Sequence, residues 1–275
     1  MKDKNYTCFL IPVHPPKFHQ AKDLIISYTK YYTQNNLYLI FSNKEDENLF
    51  KKKYSDLNFY KSIVLNLPDN EGIINSKKLA ALYYIFSTTQ YKIAAVIDCD
   101  CIFIKKINYQ RLFEEILNSK IVYASLSSNY YICESPLRFF NEADKNIILK
   151  NIKLKEGILY FWFNQIPLYN REEFLEMYEK LNLKQNIINI KWADFEYMLY
   201  VYFLLTQNKI SIKKINTNKI TENSYIESID LVTHDLLNNI KTINPLWMPI
   251  YADFFAINKR EYLKFFKNVF IKFHL

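Results

Sequence analysis

Four short apolar runs, at residues 7–13 (TCFLIPV), 37–42 (LYLIFS), 62–67 (SIVLNL) and 93–97 (IAAVI), constrain this chain more than any other feature. Each has the length of a strand, and each lies between polar stretches. Pro12 and the Pro15-Pro16 pair close the first run, and residues 19–33 then look helical. Residues 45–54 read as a charged helix, and Asn75 or Ser76 can cap a helix running to about residue 88. Strands alternating with helices in this way predict an α/β fold with a mostly parallel central sheet and helices on both faces. Ligands in such folds sit at the carboxyl ends of the strands.

Composition removes several alternatives. The chain has 275 residues, 50% of them hydrophobic, enough for a sizeable core, and only 2 glycines, Gly72 and Gly157. Every glycine-rich phosphate loop is thereby excluded, and a bound nucleotide must be held by another device. The formal charge of +8 points toward nucleic acid or a membrane surface, but Lys, Asn, Ile, Tyr and Phe are abundant throughout, as an AT-rich genome produces. Aromatic residues are spread along the chain and not interleaved with basic ones in one patch, so no nucleic-acid partner is expected. Cys8, Cys99, Cys101 and Cys133 do not form a disulfide framework, which points to reduced thiols and a cytoplasmic protein. The start of the chain is too short in apolar residues and too charged for a signal peptide. The longest apolar run, residues 197–205, is far below the roughly 20 residues of a membrane span.

The fourth run leads directly into Asp98-Cys99-Asp100 and then a further apolar segment, Cys101-Ile102-Phe103. In an extended chain, side chains one residue apart point the same way, so Asp98 and Asp100 share a face. Two anions together at the end of a buried strand repel each other and resist desolvation, and a divalent cation compensates both costs. A strand-end turn with local hydrogen bonds is the plainer alternative.

Further along, a helix near 108–118, a strand near 120–125 and a Ser/Asn/Tyr-rich loop around 127–135 precede a less regular part. Asn170 with Glu173, and Asn258 with Glu261, each carry a helix-start capping pattern. No linker-like stretch divides the chain, so one domain over 1–275 is expected, its nucleotide-binding part about 1–105 and its acceptor side about 106–275. Asn75-Ser76-Lys77-Lys78 opens the helix before the acidic motif, where free N–H groups and two lysines attract phosphate, unless the lysines only line a solvated face. Residues 259–275 mix Lys264, Lys267 and Lys272 with four phenylalanines. That pattern suits a final helix packed on the core or peripheral contact with an anionic inner-membrane surface.

The order of strand, D-x-D and apolar segment, about a hundred residues into a mostly parallel α/β chain, resembles the metal-binding motif of GT-A glycosyltransferases, over roughly residues 5–200 by element order. The resemblance implies a nucleotide-sugar donor, a glycan or lipid-linked glycan acceptor, and Mn²⁺ or Mg²⁺ held against the diphosphate. Asp98 would lie nearer the ribose or sugar, and Asp100 on the metal. It further implies an acid facing the acceptor at the start of the long apolar helix, Asp194 first and Glu196 second, as general base. An acid there also simply favours the helix dipole. His234 is the candidate for an additional metal ligand, His14 for contact with the base, and Lys77 and Lys78 for the diphosphate. Bacterial surface polysaccharide or lipooligosaccharide synthesis is the setting that follows.

Two enzyme classes share parts of this pattern. HAD-type phosphatases also place D-x-D after an apolar strand, the first Asp being the nucleophile, but near the N-terminus and followed by Thr or Val. Here Cys101 follows, and three strand–helix units come first. Sugar nucleotidyltransferases carry a glycine-rich signature after the first strand, which residues 11–16 (IPVHPP) lack. A nucleotide-sugar-binding protein without turnover is the non-enzymatic rival.

Overall fold

The computed structural model of the protein describes residues 6–68, 71–99, 101–103, 106, 108–127, 130–161, 167–214 and 256–258. The first half runs β1 (Thr7–Pro12), α1 (Phe18–Tyr31), β2 (Leu37–Phe41), α2 (Lys44–Lys53), β3 (Lys61–Val64), α3 (Ile73–Thr88), β4 (Ile93–Val96) and β5 (Cys101–Phe103). It continues with α4 (Tyr109–Ser119), β6 (Ile121–Ser127), α5 (Tyr130–Glu134), α6 (Glu142–Ile152), β7 (Lys153–Leu154), β8 (Gly157–Tyr160) and β9 (Leu168–Asn170). The described elements close with α7 (Arg171–Lys180), α8 (Leu183–Asn186), α9 (Glu196–Thr206), β10 (Ser211–Lys214) and β11 (Ala256–Asn258).

The central sheet has the order β3-β2-β1-β4-β9. Its first four strands are parallel, with Phe9 opposite Leu37 on one side and Ala95 on the other, and β9 closes the edge antiparallel to β4. A second sheet, β10-β6-β8-β7, and the pair β11-β5 lie beside it.

Alternation along each strand divides the interior in two. Cys8, Leu10, Tyr38, Ile40, Ala94 and Val96 enter a core shared with α3, α6, α7 and α9. Phe9, Ile11, Leu39, Phe41, Ala95 and Ile97 enter the other, with α1, α2 and α4. Strands buried on both faces must be apolar at every position, which is why these runs are continuous and not alternating.

Local signals act where partners are near. Asn43 accepts from the Asp46 N–H and caps α2, whose first turn is acidic and last turn is Lys51-Lys52-Lys53, in accord with the helix dipole. Asn170 caps α7 by accepting from the N–H groups of Glu172 and Glu173. Glu173, expected to complete a capping box, instead accepts from the Tyr200 hydroxyl at 2.8 Å and pairs with Lys120. The second such pattern begins on β11 at Asn258, and the rest of it lies outside the described residues, as do the strand-like run 229–232 (IDLV) and the basic tail 259–275. No helix among the described residues is long and apolar enough to cross a membrane.

Two sequence expectations about this frame are corrected. The 127–135 stretch holds a short helix, α5, because its apolar residue Cys133 is drawn into the core. The strand before the acidic motif stops at Val96, one residue short of the expected Ile97, and the Cys101 N–H donates to the Asp98 carbonyl at 3.0 Å.

Candidate active site

A cleft of about 350 Å³ lies at the carboxyl ends of β1 and β4, the place a parallel sheet offers to a ligand. The segment after β1 contributes His14 and Lys17 to it, and the start of α3 contributes Gly72, Asn75 and Lys78. Asp98 and Cys99 follow β4, and Trp192 and Phe195 come from the segment before α9.

Four consecutive residues of α3 assemble these segments. Asn75 Nδ2 donates to the carbonyls of Trp192 (2.9 Å) and Lys191 (3.3 Å), and Ser76 Oγ to that of Ile187 (2.9 Å). Lys77 Nζ donates to the Val13 carbonyl at 2.7 Å. Lys78 Nζ stands 3.1 Å from Asp98 Oδ1 and 3.3 Å from Glu196 Oε1. All four side chains are buried.

This overturns the placement of Lys77 and Lys78 at a helix N-terminus. The helix starts at Ile73 behind Gly72, because Asn75 and Ser76 spend their polar groups on distant carbonyls and not on capping. Neither lysine lies on a solvated face. Gly72 is required by close approach: a Cβ there would sit 2.0 Å from the Ile190 carbonyl oxygen.

Lys78 links two unlike carboxylates. Glu196, the first residue of α9, is fully buried, whereas the Asp98 side chain is 45% exposed. Burial alone would lower the Lys78 pKa, but Asp98 and Glu196 outweigh it and hold the ammonium above its ordinary range. Burial raises the Glu196 carboxyl above its usual value, and Lys78 opposes this only in part. Glu196 Oε2 is buried without a hydrogen-bond partner, and the Tyr169 hydroxyl lies 3.5 Å from Oε1.

Asp194 is set apart from this group. Its carboxylate accepts from Ser135 Oγ (2.7 Å), the Lys191 N–H (2.7 Å) and the guanidinium of Arg138, and it is fully buried. Arg138 also reaches the Asn189 carbonyl at 2.6 Å. Both Asp194 oxygens are thus taken, by Ser135 and Arg138 from the segment after α5 and by Lys191 in its own loop, an environment of a structural ion pair and not of a base open to an acceptor hydroxyl. Ser135, Arg138, Lys17 and Trp192 were not singled out from the sequence. Only a salt-bridging arginine some fifty residues upstream of a buried aspartate offered a signal, and such pairs are invisible without the fold.

The structure therefore brings His14, Lys78 and Asp98 together on one cleft, with Glu196 behind Lys78, and gives Lys77 and Asp194 bracing contacts beside it. Asp100 and His234 lie outside the described residues. Among the described residues no three His, Cys, Asp or Glu side chains come together to hold a metal ion. Asp98 alone does not make the expected divalent-cation site, since such ions take several oxygen ligands.

No protein-family model matches the sequence, and no curated protein is significantly similar to it. Solved structures that resemble it include the apo form of mouse xyloside xylosyltransferase 1, at 11% identity and a TM-score of 0.39, covering 76% of this chain and 84% of that one. Another is the apo structure of the bifunctional glycosyltransferase WbbM, at 10% identity and a TM-score of 0.47 over 84% of this chain. The match spans 45% of the WbbM chain, less than half of that protein's length.

Proposed function

We propose that this protein is a glycosyltransferase that moves a sugar from a nucleotide-sugar to a glycan or lipid-linked glycan acceptor, in bacterial surface polysaccharide or lipooligosaccharide synthesis. The observation that carries the reading is the Lys78 ammonium, buried between Glu196 and Asp98 at the carboxyl ends of β1 and β4. Breaking a sugar–phosphate bond places negative charge on the departing nucleotide, and fixed cations in a largely dehydrated cleft stabilise that charge more than water does. Lys78 and Lys17 supply such cations, and the half-exposed Asp98 offers an acceptor for hydroxyl groups of the donor sugar. Glu196 holds Lys78 in register from behind the cleft.

The test is release of nucleotide from UDP-, GDP-, CMP- and dTDP-sugars, with and without Mn²⁺ or Mg²⁺, because the expected ligand set also includes Asp100 and His234. Asp98→Ala is expected to lower release at least about a hundredfold, as the loss of a positioned polar group in a transition state does. Full release by Asp98→Ala would overturn the assignment. Phosphate released from a phosphomonoester, with nothing released from any nucleotide-sugar, would favour the HAD-type reading. Saturable nucleotide-sugar binding without turnover would favour the binding protein.

A further inference from the structure

The lining of the cleft is chemically uneven. The segment after β1 and the start of α3 bring His14, Lys17 and Lys78, whereas the segment before α9 brings the rings of Trp192 and Phe195. Trp192 is 52% exposed, and its ring centroid lies 5.9 Å from that of Phe195 at an interplanar angle of 65°. A lone exposed aromatic residue is ordinary and calls for no ligand. Trp192 differs in where it stands and in how firmly its backbone is held.

Its own carbonyl and that of Lys191 are taken by Asn75, those of Ile187 and Asn189 by Ser76 and Arg138, and the Lys191 N–H by Asp194. Ile190 packs directly over Gly72, and Ala193 and Asp194, the next two residues in the chain, are buried. The chain thus immobilises a short loop whose most exposed large side chain at the cleft is an indole. An aromatic surface fixed in advance loses little conformational freedom when a ligand covers it.

An anionic donor matches Lys17 and Lys78 in the charged part of the lining, which also carries Glu71 and Asp98. A ring that carries no charge, with a face of C–H groups and a rim of hydroxyls, matches the aromatic part. We propose that Trp192, backed by Phe195, is the platform on which a neutral pyranose of the acceptor stacks. The assignment rests on the transferase reading for the word acceptor, and on the loop geometry for the stacking itself.

The test uses the full chain labelled with 5-fluorotryptophan. Its 3 tryptophans give separate ¹⁹F resonances, and Trp192→Phe identifies the one that belongs to Trp192. Titration with the methyl glycosides of glucose, galactose and N-acetylglucosamine is expected to move the Trp192 resonance saturably with at least one of them. Trp192→Ala, checked for a retained cooperative thermal transition, is expected to weaken that sugar's binding about tenfold or more, the scale of losing an aromatic anchor. A resonance unmoved by every glycoside overturns the proposal. So does a resonance that responds only to free UDP or GDP, which would make the indole a base platform, or only to vesicles containing phosphatidylglycerol, which would make it a membrane contact. Glycoside binding at Trp192 in a protein that releases no nucleotide from any nucleotide-sugar would leave the platform standing and sink the transferase reading. Nucleotide release with an unresponsive Trp192 would do the reverse.

Discussion

Replacing Lys78 by Met tests the charge arrangement directly, because it removes the ammonium and keeps an unbranched side chain only one atom shorter. Glu196 then remains fully buried without the one cation that pairs with it among the described residues, while Asp98 turns its exposed side to water. Stranding one partner of a buried ion pair costs roughly 3–5 kcal/mol. Protonation sets a ceiling on that cost. The ordinary carboxyl value is 4.5, and each pH unit is worth about 1.4 kcal/mol, so taking up a proton at pH 7 costs about 3 kcal/mol. At pH 5.5 the same step costs only about 1.4 kcal/mol. The sign follows from linkage: a carboxyl whose folded pKa is raised contributes stability below its unfolded value, and that stability is lost as pH rises through the folded value. Lys78→Met should therefore be destabilised by about 3 kcal/mol at pH 7 and by about half of that at pH 5.5. Adding Glu196→Leu should restore most of the loss. Urea unfolding followed by tryptophan fluorescence at constant ionic strength measures all four values. A deficit that stays the same from pH 5.5 to 7, or a double variant no more stable than Lys78→Met, would refute the buried-carboxylate reasoning.

Gly72→Ala places a methyl group 2.0 Å from the Ile190 carbonyl oxygen, and the backbone displacement should cost about 2–4 kcal/mol in chemical denaturation. A change below about 0.5 kcal/mol would show that the loop yields freely. Glu47 is opposed by burial, but hydrogen bonds from Lys44, Lys51 and Ser62 hold its carboxyl down at about 2. Its contribution is present above the ordinary 4.5 and is lost as pH falls toward about 2. Because both lysines are half exposed or more, Glu47→Gln should cost only about 1–2 kcal/mol at pH 6, a difference that closes below pH 3. Burial raises the Cys8 thiol well above its ordinary range and pushes the Cys133 thiol up to about 12, so both should stay unmodified by iodoacetamide at pH 8 in the native protein and react once it is unfolded, as mass spectrometry reads.

Three of the four parallel strands, β1, β2 and β4, were legible because a strand covered on both faces has only one way to appear in a sequence, as an unbroken apolar run. The site was legible in part for a similar reason: Asp98 interrupts such a run where the sheet ends. What stayed hidden depends on distance along the chain. Asn75 and Ser76 have the chemistry of caps, and local reasoning assigns them to a helix start. Their partners lie 117 and 111 residues away, and those contacts override the local preference. Two adjacent lysines read as phosphate ligands at a helix start, or as a solvated face, until Val13, Asp98 and Glu196 are brought around them by the fold. Asp194 looked like a base for the same reason, since nothing in the sequence announces that Arg138 will fold back onto it.

The run Asn75-Ser76-Lys77-Lys78 joins a strand end, an acidic turn and an aromatic loop through little more than one turn of helix. Fraying of that one stretch would loosen every border of the ligand site at once, whereas no single border can drift while it stays wound. Occupancy and helical order are then two readings of one equilibrium, and a bound nucleotide should appear first as slowed amide hydrogen exchange near the beginning of α3.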